Sequence, residues 1–207
     1  RRFDVDVMDD LETAGLAFGR LSAQFIRDKV VPELDAFRFA SYCGISGVTK
    51  KEETLADGAA TVAALSTAVT AMDDEEVTAT GRYLFITPTL LQGINDMDTT
   101  KSKKVLEGFE QVIKVPQRRF YTAIKQLSGK TGEEAGGYTK ATGAANINFA
   151  IVQKDALIQY TKHAAPKIIA PENNPDADAY VFGYRMVGIA KAYKNMLSGM
   201  YFSHDKA

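Results

Sequence analysis

The chain has one cysteine, two histidines, no apolar run of membrane length and almost no net charge. Each scarcity removes a class of function. A single cysteine, Cys43, excludes an internal disulfide framework and suits a reducing compartment. Beside Tyr42 and Gly44 at an expected helix end, it reads as a small buried hydrophobe rather than a nucleophile. His163 and His204 lack a partner three or four residues away, the spacing that builds a metal face on a helix, so neither a metal nor another cofactor is expected. The formal charge is -1 and the pI about 6.2, whereas a free-standing nucleic-acid binder carries a clear basic excess. No apolar stretch approaches the roughly 20 residues that span a bilayer, and no signal peptide is expected. The chain opens on Arg1-Arg2-Phe3 rather than Met, from which the loss of an N-terminal piece is expected.

Catalytic constellations are scarce too. The nearest approach is Ser128-Gly129-Lys130-Thr131, which ends like a phosphate-binding loop. The full motif needs a glycine five residues before the Gly-Lys pair, so that backbone N–H groups can cradle phosphates. Ile124 stands there instead. The segment continues through Gly132, Gly136, Gly137 and Gly143, as a surface loop would rather than a helix start. A small nucleotide-binding enzyme using the Lys130 loop is therefore the second reading, and a non-enzymatic protein the first.

What is present is a chain of 207 residues, 45% of them hydrophobic and 25% charged, enough to sustain a real core. The opening residues up to Asp9 alternate Phe3, Val5 and Val7 with carboxylates, as a half-exposed strand does. From Thr13 to Tyr42 the apolar spacing is helical, through Phe18, Leu21 and Phe25, then Ile26, Val30, Leu34 and Phe37. The stripe shifts by one residue midway and Pro32 follows, which predicts a kink or break near 29–32. Gly44 should stop the helix. A second helix is expected from Lys50 to Met72, begun by a capping box at Thr49-Lys50-Lys51-Glu52. It should end at Asp73-Asp74-Glu75-Glu76, whose sign is wrong for a helix C-terminus. Strands are expected over 82–87, 109–115, 147–152 and 180–187, with a helix entered through Thr87-Pro88 and a turn-rich loop at 171–179. Helices early and strands late, without regular βαβ alternation, indicate an α+β fold.

The residues also carry a family resemblance. Gly15 to Phe39 resembles the long spine helix of tailed-bacteriophage major capsid proteins, the shell subunits of the Hong Kong 97-type fold. Gly81 to Pro88 looks like the strand-to-helix entry of that fold's axial lobe, and Gly108 to Phe120 like its following strand. Asn146 to Ala156 is similar to the strand leading back to the peripheral lobe. Lys167 to Pro171, Asp176 to Tyr180 and Arg185 resemble the closing strands, and Gly199 to Tyr201 the terminus. The collinear order over nearly the whole chain carries the resemblance, not any single motif. At the front only the returning strand of the family's extended loop, Arg1 to Asp9, is expected. The resemblance implies a discontinuous peripheral lobe of 1–43 and 160–207 that includes the spine helix, and an axial lobe of 44–159. It implies a phage or prophage subunit that self-assembles into capsomers and an icosahedral shell, in a virion assembled in the bacterial host cytoplasm. The shell would enclose double-stranded DNA without sequence-specific binding. Scaffolding and portal proteins are implied as further partners, and a membrane is not.

Charge is unevenly distributed. Residues 50–80 hold two basic against seven acidic side chains, and residues 101–130 hold eight basic against two acidic. A ring of identical subunits needs two different, complementary patches on each copy, and opposite charges there set register. The expected subunit interface therefore pairs Asp73, Asp74, Glu75 and Glu76 with Lys103, Lys104, Arg118 and Arg119 of a neighbour.

Overall fold

In a computed structural model the described residues are 2–13, 16–133 and 136–206. Arg1, the start of the expected long helix at Ala14 and Gly15, and Glu134-Ala135 of the glycine-rich loop lie outside them. Strand β1 (Arg2–Asp6) alternates as expected but ends at Asp6, whose carboxylate accepts from the Met8 N–H and caps α1 (Val7–Glu12). The long helix follows as α2 (Leu16–Phe25), a π-helical stretch (Ile26–Val30) and α3 (Val31–Cys43). The irregularity begins one turn before the expected break. A π turn admits one extra residue, which accounts for the one-residue shift of the apolar stripe. It also loosens the turn against which the Pro32 ring would clash. Gly44 donates to the Ala40 carbonyl as the helix stops.

One expectation is overturned here. Thr49–Glu52 is a strand, β2, not a capping box, and helix α4 (Gly58–Asp74) starts eight residues later than expected. Its N-cap is Asp57, whose carboxylate accepts from the Ala60 N–H at 2.7 Å. Strand β3 (Arg82–Ile86) leads through Thr87-Pro88 into α5 (Pro88–Asp96). An unexpected helix, α6 (Thr100–Glu107), starts from a reciprocal cap between Thr99 and Ser102. Then come β4 (Gln111–Lys114), β5 (Ile124–Leu127), β6 (Gly137–Lys140), β7 (Ile147–Gln153), β8 (Leu157–Ile169), β9 (Ala179–Ala192) and β10 (Met200–His204).

The chain divides into two compact units. The first comprises 1–34, 126–139 and 159–189. Its three-stranded sheet has the order β1-β9-β8, with β1 antiparallel to β9 and Phe3 opposite Phe182. Tyr180 and Phe182 of β9 share the face on which the aromatic side chains gather. Phe182 lies 5.2 Å from Phe3 and 6.1 Å from Phe25, and Tyr180 lies 5.5 Å from Phe18. The α2 stripe therefore docks on a late strand, as its spacing implies. Pro166 is confined to β8, an edge strand, because it cannot donate to a ladder.

The second unit comprises 35–125, 140–158 and 190–207. Its mixed sheet has the order β2-β10-β7-β3-β4, parallel at both outer pairs and antiparallel at the two inner ones. All seven residues of β7 are buried, because both faces of the sheet are covered. Side chains alternate between faces along a strand. Phe149, Ile151, Leu84, Ile86 and Tyr201 accordingly pack with Leu65 and Met72 of α4 and Ile94 of α5. Ala150, Val152, Met200 and Phe202 pack with Tyr42, Cys43 and Phe120 on the other face. The expected lobe division placed 160–207 with the spine helix, whereas β10 forms an inner strand of this five-stranded sheet.

Candidate functional site

The charged segments lie in the second unit. Asp73 and Asp74 end α4, Glu75 is its C-cap, and Glu76 takes a left-handed φ of 57°. All four are exposed, as are Lys103 and Lys104 on α6. Arg118, exposed, and Arg119, half-buried, sit on the 3-10 turn Gln117–Arg119 after β4. Asp73 and Arg119 have structural duties within the chain. Asp73 lies 2.6 Å from the buried Arg82 guanidinium, and Arg119 lies 3.0 Å from Asp35. Lys103 reaches Asp98 at 2.6 Å, but both side chains are well exposed, so that pair adds little. Asp74, Glu75 and Glu76 on one side and Lys103 and Lys104 on the other are exposed charge of opposite sign on one unit.

The Lys130 loop is shaped against a phosphate. Ser128 donates both its backbone N–H and its hydroxyl to Glu133 Oε2, at 2.8 and 2.9 Å. The Lys130 N–H turns to the Ser128 hydroxyl. A carboxylate of the loop itself occupies the donors a nucleotide would need, and the turn joins two strands rather than opening a helix. His163 is exposed, and His204 places Nδ1 2.8 Å from the Asp205 carbonyl. Cys43 is buried, and burial pushes its thiol pKa up. Among the described residues no three His, Cys, Asp or Glu side chains are grouped to hold a metal ion, and no helix is long and apolar enough to cross a membrane.

The first unit shows a different feature. Nine of the eleven exposed large apolar side chains among the described residues belong to it, against four of its apolar residues that are buried. Met8 and Leu11 on α1 are 65% and 67% exposed, and Tyr160 on β8 is 62% exposed. Val187 and Ile189 stand out from β9 on the face opposite Phe182. Concentrated apolar exposure of this kind marks an interaction surface. Sequence reasoning missed it, although the period-2 pattern of β9 already separated Val187 from the aromatic face.

No protein-family model and no curated protein sequence matches the chain. Solved structures do. A structure from Mycobacterium phage Che8 superposes with a TM-score of 0.62 at 12% identity, covering 98% of this chain and 68% of that one. The crystal structure of a virus-like particle from Pyrococcus furiosus gives a TM-score of 0.63 at 10% identity, with 98% and 73% covered. The capsid structure of the cyanophage P-SCSP1u gives 0.55 at 16% identity, with 99% and 71% covered. The chain has the fold of phage-capsid and virus-like-particle proteins.

Proposed function

We propose that the protein is a structural subunit of a phage or prophage icosahedral capsid, of the Hong Kong 97 type, and not an enzyme. The observation that carries this reading is the match of capsid and virus-like-particle structures over 98–99% of the chain. The unit with the five-stranded sheet would be the axial lobe, and the unit with the three-stranded sheet and the first half of the long helix the peripheral lobe. Copies would associate head to tail around capsomer axes, with the acidic end of α4 facing Lys103, Lys104 and Arg118 of a neighbour. Double-stranded DNA would be enclosed without sequence readout, in a virion assembled in the bacterial cytoplasm with scaffolding and portal proteins. The test is negative-stain microscopy of the purified full chain across salt and concentration. Closed shells or capsomer rings are expected, and a uniformly monomeric protein would overturn the reading. The likeness to a virus-like particle supports a second reading, a shell of the same fold that holds no phage genome. Nuclease-protected DNA in purified particles separates the two.

A further inference from the structure

Two exposed surfaces of the first unit have matching chemistry. Helix α1 presents Met8 and Leu11 beside Asp9 and Glu12, all four exposed. On β9, Arg185, Val187 and Ile189 alternate outward on one face, all exposed. Strand β8 runs alongside: a Cβ at Gly188 would lie 3.2 Å from the Tyr160 carbonyl, which places exposed Tyr160, and Lys162 two residues on, next to this stretch. One surface is apolar and acidic, the other apolar and basic.

The two cannot meet within one subunit. Asp6 pairs with Ala179, and the Val7 N–H donates to the Asp178 carbonyl at 3.2 Å. Asp10 holds the other end of α1 by accepting from the Phe18 N–H at 3.1 Å, and Phe18 is packed on Tyr180 and Phe182. Helix α1 is thus fixed beside 178–182. Val187 and Ile189 lie five and seven residues beyond Phe182, about 16 and 23 Å along β9 at strand rise, and on its opposite face.

We propose that α1 of one copy docks on the Tyr160–Val187–Ile189 surface of a second copy, with Asp9 and Glu12 against Lys162 and Arg185. The contact is heterologous, because each copy offers two different patches, and so propagates into a ring or lattice rather than closing as a dimer. Apolar contact supplies the affinity and the charges fix the register. The inference rests on the shell reading for its partner, a second copy, but its test does not depend on shells forming.

The test is crosslinking of the full chain carrying Asp9→Cys and Val187→Cys with a short bis-maleimide, with Cys43 buried as an internal background. A ladder extending beyond dimer is expected from the double variant and none from either single variant. Dimer from a single variant, or shells and rings without a ladder from the double, would overturn the contact while leaving the shell reading intact. A ladder without shells or rings would support the contact and count against the shell. In parallel, Lys162→Glu with Arg185→Glu should raise the concentration needed for association about tenfold or more. Asp9→Lys with Glu12→Lys should do the same, and an equal mixture of the two variants should recover association. Failure of the mixture to recover, or duplex DNA retained at low salt through Arg185 in place of the ladder, would also overturn it.

Discussion

The guanidinium of Arg82, only 2% exposed, closes the C-terminal end of α4 by pairing with Asp73 at 2.6 Å. It also donates to the Thr78 carbonyl at 3.2 Å and to the Val77 carbonyl. A cation there meets the negative end of the helix dipole, which offsets the unfavourable sign of the acidic run. Arg82→Met should lose about 1–3 kcal/mol in denaturant melts, since part-buried carbonyls lose their donor. Asp73→Asn should cost less, because that carboxylate is half in water. Arg82→Lys should not restore the wild-type value, as an ammonium cannot span these acceptors with a planar fork. Equal stability of the methionine variant and wild type would show the clamp to be idle.

Helices α4 and α5 touch through two glycines of unequal tolerance. A Cβ on Gly58 would lie 2.2 Å from the Gly93 carbonyl oxygen, a backbone atom, whereas one on Gly93 would approach Gly58 no nearer than 3.5 Å. Gly58→Ala should therefore cost about 2 kcal/mol or more by forcing the helices apart. Gly93→Ala, in a helix interior, should be neutral or stabilising by up to about 1 kcal/mol. Thermal melts of the pair decide it, and a reversed order would contradict the packing.

In the aromatic cluster of the first unit, Phe182 is 4% exposed and Phe25 half-buried. Phe182→Ala should cost about 3–5 kcal/mol, the range for a buried phenylalanine. Phe25→Ala removes less buried surface and should cost about 2 kcal/mol. Chemical denaturation followed by tyrosine fluorescence measures both.

Of the proposed axial contact, the clean test avoids the two residues with structural duties. Lys103→Glu with Lys104→Glu should impair ring formation, and Asp74→Lys with Glu75→Lys in the same chain should partly restore it. Reversal at Arg119 would set a carboxylate against Asp35 and disturb the fold as well. Rings that form unchanged from low to moderate salt would reduce these charges to a solvated surface.

Cys43 is 2% exposed, and burial raises its thiol pKa. Thiolate is the reactive form, so disulfide-exchange reagents should label it only after the unfolding transition. Rapid labelling of the native protein would show the end of α3 to be open.

Features legible in the sequence were those set by near neighbours. The one-residue slip of the stripe between Phe25 and Ile26 announced a break in the helix but not its π form, and Thr87-Pro88 announced α5. Thr49–Glu52 has the local form of a capping box, but its partner in the fold, β10, lies about 150 positions away in sequence, and that pairing prevails over the local signal. Helix α6 went unseen because only Val105 and Leu106 mark its apolar side, and its cap is a Thr–Ser pair. The charged segments were legible as exposed. Their intramolecular duties were not, because Asp35 stands 84 residues before Arg119. The apolar surface of the first unit hid behind a strand pattern that reads equally well as core.

Strand β10 lies between β2 and β7, and that position sets a timetable for synthesis. Until residues 200–204 have left the ribosome, β2 has no partner in the sheet and β7 lacks one neighbour, so both sides of the core stay open to water. Non-local pairing of this kind also slows folding after release. A nascent chain is thereby held back from presenting finished edges to its neighbours. For a subunit of the proposed shell, translation of β10 would be the point at which it turns competent to assemble.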